Sequence, residues 1–454
     1  MTRPTTQDLA LDDLAQAVLA AARRAGADAA DAIVASGASQ VIDVRGGALE
    51  QAERSEAADL GLRVLVGRRQ ANISSSDTRP ETLDILAERA VAMAREAPED
   101  PYAGLADPDQ LAQHWDIAAL ELADPAPEPE PAELQRRAAA AEAAAQAVPG
   151  VTQVQAATAG YERRHVRLAA SNGFAADHRR TDWYISCTAI AGTGAGMERD
   201  SDGDARIWDA DMRSAEDIGT RAGQRAAERL DARRPKTGAY PVLFDERIST
   251  SLIGHLLGAA NGAAVARGAT WLRDRLGKQV LPEGLSILED PYRPRVAGSR
   301  PYDGEGLATQ RRAIVDRGVL TGWVLDLASA RQLGMRSTAN AKRGMSGPPR
   351  PGTWNIALTQ GTASRGDLIR DMGTGLLVTS MIGSTINPNT GDYSRGASGF
   401  WIENGEIAYP VNELTIAGNL HDMLMRLTPA NDARTHLSSV VPSLLVEGMT
   451  LAGA

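Results

Sequence analysis

Hydrophobic and polar positions follow two rhythms along this chain, and the places where the rhythm changes mark its elements. From Leu9 to Arg24, Ala and Leu recur among charged residues at the spacing of an amphipathic helix. The stretch that follows, to about Ser76, breaks into short β-rich runs separated by glycines, as an antiparallel meander would. Helical spacing returns after Pro80 in ETLDILAERAVAMAREA. The same succession then recurs: PAELQRRAAAAEAAAQAV from Pro131 is helical, Val151 to Ala210 is strand-like, and Ser214 to Leu230 is helical again. Helix, meander, helix thus occurs twice, although residue identity between the two is too weak to establish a duplication.

Between the two units the chain becomes rich in Pro, Asp and Glu, so residues 101–130 read as a linker. Near Asp231 to Gly238 the texture changes again. Glycines multiply, a helical stretch runs from Glu246 to about Gly262, and a long succession of strands and loops follows. The expected fold is α+β: two helix/β-meander units at 1–100 and 131–232, and a Gly-rich, β-dominated C-terminal domain at 233–454. Glycines at 373, 375, 383, 391, 396, 399 and 405 suit turns, curved sheet or backbone that faces a ligand.

Composition narrows the function. A chain of 454 residues holds two or three domains. The 48 Lys+Arg against 58 Asp+Glu leave a net charge of -10, which disfavours general nucleic-acid binding. Cys187 is the sole cysteine, so no intramolecular disulfide and no multi-thiolate metal site is available, and a reducing compartment is expected. The N-terminus is acidic where a secretory signal would be apolar, and no run of about 18 apolar residues occurs. The expectation is a cytoplasmic protein with no membrane partner.

Most catalytic patterns are absent. Ser398 in GASGF has Phe400 where a nucleophile elbow needs glycine, GTGAGM at 192–197 lacks dinucleotide spacing, and Gly277-Lys278 lacks the rest of a phosphate loop. None of the six histidines has another at the spacing that pairs two imidazoles on a helix. His255, on an apolar helix, reads as a packed and hydrogen-bonded residue; His165 and His178, among arginines, read as surface; Cys187 reads as a buried inert thiol. Asp303 and Glu305 in PYDGEGLATQRR are candidates for acid-base work, but two carboxylates in a Gly-rich turn are more often solvated turn formers, with Arg311 and Arg312 at hand to pair with them. The segment from Gly383 to Ser398 packs Asn, Gly, Thr and Ser between apolar strands without an obvious hairpin turn. It reads either as a long crossover or as a loop whose free backbone groups take an extended ligand, with Gly383, Asn387, Gly391, Asp392, Tyr393, Ser398 and Gly399 as candidates.

The same residues carry a family likeness. GKQVLPEGLSILEDP, YDGEGLATQRRAIVDRGVL, GWVLDLASARQLGMRSTANAKR, GLLVTSMIGSTINPNTGDYSRGASGFWIENGEIAYPV, ELTIAGNLHDML and PSLLVEGMTLAG, with DLGLRVLVGRRQANISSSD and SNGFAADHRRTDWYISCTAIAG upstream, resemble the PmbA/TldE branch of the TldD/PmbA metallopeptidase family over nearly the whole chain. The resemblance implies a subunit that pairs with a TldD-like protein in a zinc peptidase acting on unfolded or small peptides, microcin precursors and an antitoxin among them. TldD-type chains carry His-Glu-x-x-x-His on the helix opening the C-terminal domain and a cysteine near the C-terminus. Here Ile253 and Gly258 align with the histidines and Gly254 with the glutamate, His255 falls between, and TPANDARTHLSSVVPS holds no cysteine. Zinc hydrolysis needs three protein ligands and a proton acceptor, which Ile and Gly do not provide. The implied chain is silent alone: it carries no cofactor, its TldD-like partner carries the zinc, and it self-associates through the same face when that partner is missing. The rivals are a stand-alone hydrolase around Asp303, Glu305 and Asn387 to Ser394, and a non-enzymatic regulator linked to DNA gyrase.

Overall fold

The computed structural model describes residues 10–453, so the reading of the extreme N-terminus, residues 1–9, lies outside the described residues. Helix α1 (Ala10–Arg24) leads into three antiparallel strands, β1 (Ala29–Arg45), β2 (Ala48–Val66) and β3 (Arg69–Ser75), and α2 (Pro80–Glu96) closes the first unit. The second unit repeats the order with α3 (Pro131–Gln146), β4 (Val151–Ala170), β5 (Ala175–Ala191), β6 (Glu198–Arg206) and α4 (Ala215–Ala227). The two meanders form one sheet, in the order β3-β2-β1-β4-β5-β6. They are joined by β1 and β4, which pair antiparallel from Asp31 opposite Ala170 to Val44 opposite Ala157.

Period-two alternation gives this sheet two different faces. Ala30, Ala32 and Val34 of β1 pack under α1 and α2, while Ile42 and Val44, with Ala157, Ala159 and Tyr161 of β4, pack under α3 and α4. All four helices therefore cover one face. The alternate residues, among them Arg164, His178, Arg180 and Asp182, point to the other face, which meets the C-terminal body.

That body is a barrel with appended short sheets. Strand β7 (Gly238–Phe244) pairs parallel with β14 (Gly375–Ile386), which continues antiparallel to β15 (Asp392–Glu403) and β16 (Glu406–Asn419). Strand β19 (Leu444–Ala452) pairs with both β7 and β16 and closes the ring, with β17 (Leu427–Pro429) alongside it. Short strands β8 (Ile287–Glu289), β9 (Arg312–Asp316), β10 (Val319–Leu320), β13 (Ile356–Leu358) and β18 (Ser439–Val440) make a second sheet, and β11 (Ala341–Lys342) with β12 (Arg350–Pro351) a two-stranded ribbon. Helix α5 (Glu246–Ala259), capped by the Asp245 carboxylate on the Arg247 N–H, buries Leu252, Ile253 and Leu256 in the barrel core. The α+β expectation holds.

Two expectations about connections change. The Pro- and acid-rich segment 101–130 is a strap packed along the seam between the sheet and the C-terminal body. Ala106, Ala112, Leu120 and Leu122 are buried, Ala112 N–H donates to the Gly306 carbonyl (2.9 Å), and Arg295 N–H donates to that of Leu120 (2.8 Å). Nor is the segment from Gly383 to Ser398 an open loop or a crossover. It is a hairpin whose turn, Asn387 to Gly391, is closed by Gly391 N–H on the Asn387 carbonyl (2.8 Å) and by the Asn387 side chain accepting from Asn389 N–H (3.0 Å). Asn-Pro-Asn-Thr-Gly supplies the turn chemistry, and the flanking apolar alternation supplies the strands.

Candidate functional site

A cleft of about 1060 Å³ lies between the uncovered face of the N-terminal sheet and the loops of the C-terminal body. One wall is β4 and β5, where register sets Arg164 opposite Arg180, Glu162 opposite Asp182 and Val166 opposite His178. Like charges face each other across the strands, an unfavourable pairing that is offset within each strand, since Arg164 ion-pairs Glu162 and Arg180 ion-pairs Asp182. The opposite wall contributes Arg300, Tyr302, Lys342 and Trp354. Sequence reasoning missed this site: strand alternation placed these side chains on one face, but only the register and the docking of residues 297–304 bring the two walls together. His178, expected at the surface, instead lines the cleft. Burial, with Arg300 and Arg180 beside it, pulls its imidazole down to about 3, so it is neutral. His165, likewise expected at the surface, has a side chain only 12% exposed and bonds Asp177 at 2.8 Å.

Asp303 and Glu305 are not solvated turn formers. Asp303 is 1% exposed, and its carboxylate accepts from the N–H groups of Glu305 (2.9 Å), Leu307 (3.0 Å) and Ala341 (3.1 Å). Glu305 accepts from Leu327 N–H (2.9 Å), the first residue of the helix Leu327–Leu333. Burial raises both carboxyls above their ordinary range, with the charge of Asp326 adding to the effect at Asp303 and that of Asp303 adding to it at Glu305; Asp303 is pushed up to about 6. Asp303 accepts from three backbone N–H groups and Glu305 from one, so both carboxylates organise loops. The neighbouring arginines do not pair with them: Arg311 bonds Asp290 (3.0 Å) and Arg312 bonds Glu289 (2.9 Å).

The hairpin candidates divide. Tyr393 is 2% exposed in the barrel core. A Cβ on Gly399 would stand 1.9 Å from the Leu377 carbonyl oxygen, so glycine there permits strand approach. Ser398 accepts from Arg229 Nη2 (2.8 Å) across the seam, and Asp392, exposed, accepts from Thr390 (2.6 Å) and Asn419 (3.1 Å). Asn387 and Gly391 shape the turn. Strand β15 is paired on both sides, so its backbone has nothing left for a peptide. Strand β14 pairs with β7 only at Leu376 to Val378, leaving the rest of that edge, with Gly383, without a strand neighbour among the described residues. Ile382, next to Gly383, is 78% exposed.

On α5, Ile253 is wholly buried, whereas Gly254 and Gly258 lie on an open face with nothing within 4 Å of where a Cβ would stand. His255 is half-buried, edge-on to the Tyr393 ring at 6.0 Å, and its Nε2 has no hydrogen-bond partner among the described residues, contrary to the hydrogen-bonded expectation. Burial lowers its pKa, with Arg395 adding to the effect. Among the described residues no three His, Cys, Asp or Glu side chains stand close enough to share a metal ion. These residues do not fit a zinc site, which takes three nitrogen, sulfur or oxygen donors. Cys187 is buried and pushed up to about 12 by desolvation, an inert thiol.

A helix-backed double meander docked on a closed barrel defines the structural class, and solved structures share it. A Bacteroides thetaiotaomicron crystal structure, described as a candidate modulator of DNA gyrase, superposes with a TM-score of 0.90 at 26% identity, covering 98% of this chain and 99% of that one. TldE from Thermococcus kodakarensis shares the fold, with a TM-score of 0.83 at 22% identity over 97% of this chain and all of that one. Family models described as PmbA/TldA metallopeptidase domain 1, central domain and C-terminal domain match residues 30–94, 124–230 and 237–453. Metalloprotease PmbA of Escherichia coli O157:H7 is 36% identical over 94% of this chain and 92% of its own length; a PmbA homolog of Haemophilus influenzae is 34% identical over 95% and 94%. The chain belongs to the PmbA/TldD metallopeptidase family, on its PmbA/TldE branch.

Proposed function

We propose that this chain is the zinc-free subunit of a two-component peptidase, holding peptide substrate while a TldD-like partner supplies the metal. The observation that carries the reading is α5: its counterpart positions present a buried hydrocarbon, Ile253, and two bare glycines, Gly254 and Gly258, where ligands and a proton acceptor would be needed. What this chain's residues offer is positioning. The edge of β14 beyond Val378 has no strand neighbour among the described residues and can offer main-chain groups to an extended peptide with little side-chain preference, although the Gly383 carbonyl already accepts from Arg395 (2.7 Å). The cleft between sheet and barrel offers room for several residues. Holding a substrate in reactive geometry is worth several powers of ten in rate, so a metal-bearing partner appears inactive without it.

The test is purification of the chain alone and with a TldD-like protein, followed by a peptide-cleavage assay with and without chelator. We expect chelator-sensitive cleavage only from the complex, and no stoichiometric zinc on this chain by elemental analysis. Chelator-sensitive cleavage by this chain alone would overturn the reading, and failure to bind a TldD-like protein would remove its basis. The stand-alone hydrolase reading loses support because Asp303 and Glu305 are tied to backbone N–H groups. Direct regulation of gyrase on DNA sits poorly with a net charge of -10.

A further inference from the structure

Two cations of the cleft wall, Arg300 and Lys342, have no carboxylate partner among the described residues, and a third, Arg180, stands beside them already paired with Asp182. Arg300 is half-buried, and among the described residues its guanidinium donates only to backbone carbonyls, those of Ser299 (2.6 Å) and Ala297 (3.4 Å). Arg180 reaches the same Ala297 carbonyl (3.1 Å) from the facing strand. Lys342 extends from β11 with its ammonium 5.7 Å from the Trp354 ring centre and has no ion pair among the described residues. Burial, with Arg180 adding to it, pulls Arg300 down to about 10, still cationic at neutral pH.

Unused donors stand beside these cations. Tyr302 is 4% exposed, held edge-on by Phe174 and Trp115 at ring distances of 5.3 Å, and its hydroxyl has no partner among the described residues. The Nε of Arg180 is also buried without one. A buried donor left unmade costs free energy, and gathered like charges cost more, so the arrangement is stabilised when an anion enters. The cleft lining also carries Asp59, Glu162 and Asp182, the last already paired with Arg180. A polyanion would meet those carboxylates; a ligand with a single negative charge at one end would not.

We infer that Arg300, Lys342, Arg180 and Tyr302 form a seat for the C-terminal carboxylate of a peptide lying in the cleft. The inference rests on the peptide-holding role proposed above and specifies its substrate as one with a free C-terminus. Charge-assisted hydrogen bonds to a carboxylate are the strong class of such bonds, and their loss on amidation is expected to weaken binding about tenfold.

The experiment measures binding of a dye-labelled hexapeptide without Asp or Glu to the full chain, by fluorescence anisotropy, as its free acid and as its C-terminal amide. A third peptide, amidated but carrying one internal Glu, separates a terminal carboxylate from a side-chain one. The expected result is a free acid bound about tenfold tighter than either amide, with the preference shrinking as salt rises. Lys342→Gln, at an exposed position, should reduce the preference while leaving the melting temperature unchanged, and Arg300→Gln should abolish it. Equal binding of acid and amide, no binding of either, or full recovery of affinity by the internal Glu would each overturn the seat. Because no partner and no cleavage enter this assay, the two readings fail separately. Binding of the acid by a chain that supports no cleavage with its partner would uphold the seat and sink the subunit role, whereas a complex that cleaves acid and amide alike would sink the seat alone.

Discussion

Asp303 and Glu305 show how much a single pair of side chains hides from a one-dimensional reading. Their neighbours in sequence are turn formers, and solvated carboxylates are the ordinary outcome. Burial followed only from the docking of β11 and the helix Leu327–Leu333 onto the same loop, contacts made 38 and 22 residues away. The pair gives stability a definite pH dependence. A carboxyl whose folded pKa lies above its unfolded value holds its proton more tightly when folded. Its stabilising contribution is therefore complete below the ordinary carboxyl range and is lost as pH rises through the elevated value, which for Asp303 is about 6. Glu305→Gln removes one charge from the pair. We expect the wild-type chain to gain stability relative to Glu305→Gln as pH falls from 8 to 5, measured by urea denaturation at each pH; a difference that stays flat or moves the other way would contradict the buried-pair account. Tyr393 was legible and was misread: Tyr393, Ala397 and Trp401 share one parity and are all buried, a strand signature that the many small polar residues between them obscured.

Among the elements, α5 was the easiest to find and the hardest to orient. Its apolar spacing and the Asp245 cap announce a helix, but which side stays bare depends on how it meets the barrel. Gly254 and Gly258 face open space in mid-helix and near its end, where alanine is favoured over glycine by about 0.5–1 kcal/mol. Gly254→Ala and Gly258→Ala should each raise stability by roughly that amount, read from urea midpoints at unchanged slope. Destabilisation by either would show that the face is crowded. The cleft was not legible for a related reason. The residues 162–168 and 178–184 announce strands, yet a shift of one position in their pairing would replace Arg164 opposite Arg180 with Arg164 opposite Arg179 or Thr181.

Over the whole molecule, the sheet and the C-terminal body are tied together by buried charge. Asp31 of β1 accepts from Arg63 of β2 and from Arg343 (3.0 Å) of the C-terminal body, and the three side chains are 5%, 5% and 1% exposed. Beside them β2 comes so close to the loop at Met345 that a Cβ on Gly61 would stand 2.2 Å from the Met345 carbonyl oxygen. Removing the shared carboxylate strands two buried guanidinium groups, so Asp31→Ala should cost about 3–5 kcal/mol. Calorimetry should show the loss, and a change under about 1 kcal/mol would mean that water reaches the seam. None of this pairing is written locally, since residues 31 and 343 meet only after both bodies have formed.

The sheet order β3-β2-β1-β4-β5-β6 reads the same from either end: two units with the same helix-meander-helix order joined edge to edge through β1 and β4. Each unit alone would leave a long strand edge exposed, and such edges recruit other chains. The covalent connection between the units is therefore dispensable once they have met, while the edge is not. Residues 125–127 are exposed, so the chain can be opened there without touching the central pairing. Co-expressed as 1–125 and 126–454, the two pieces should complement one another and co-purify as one particle, whereas 1–125 expressed by itself should aggregate or pair with its own copy. A soluble, monomeric 1–125 would show that the units are independent neighbours, not halves.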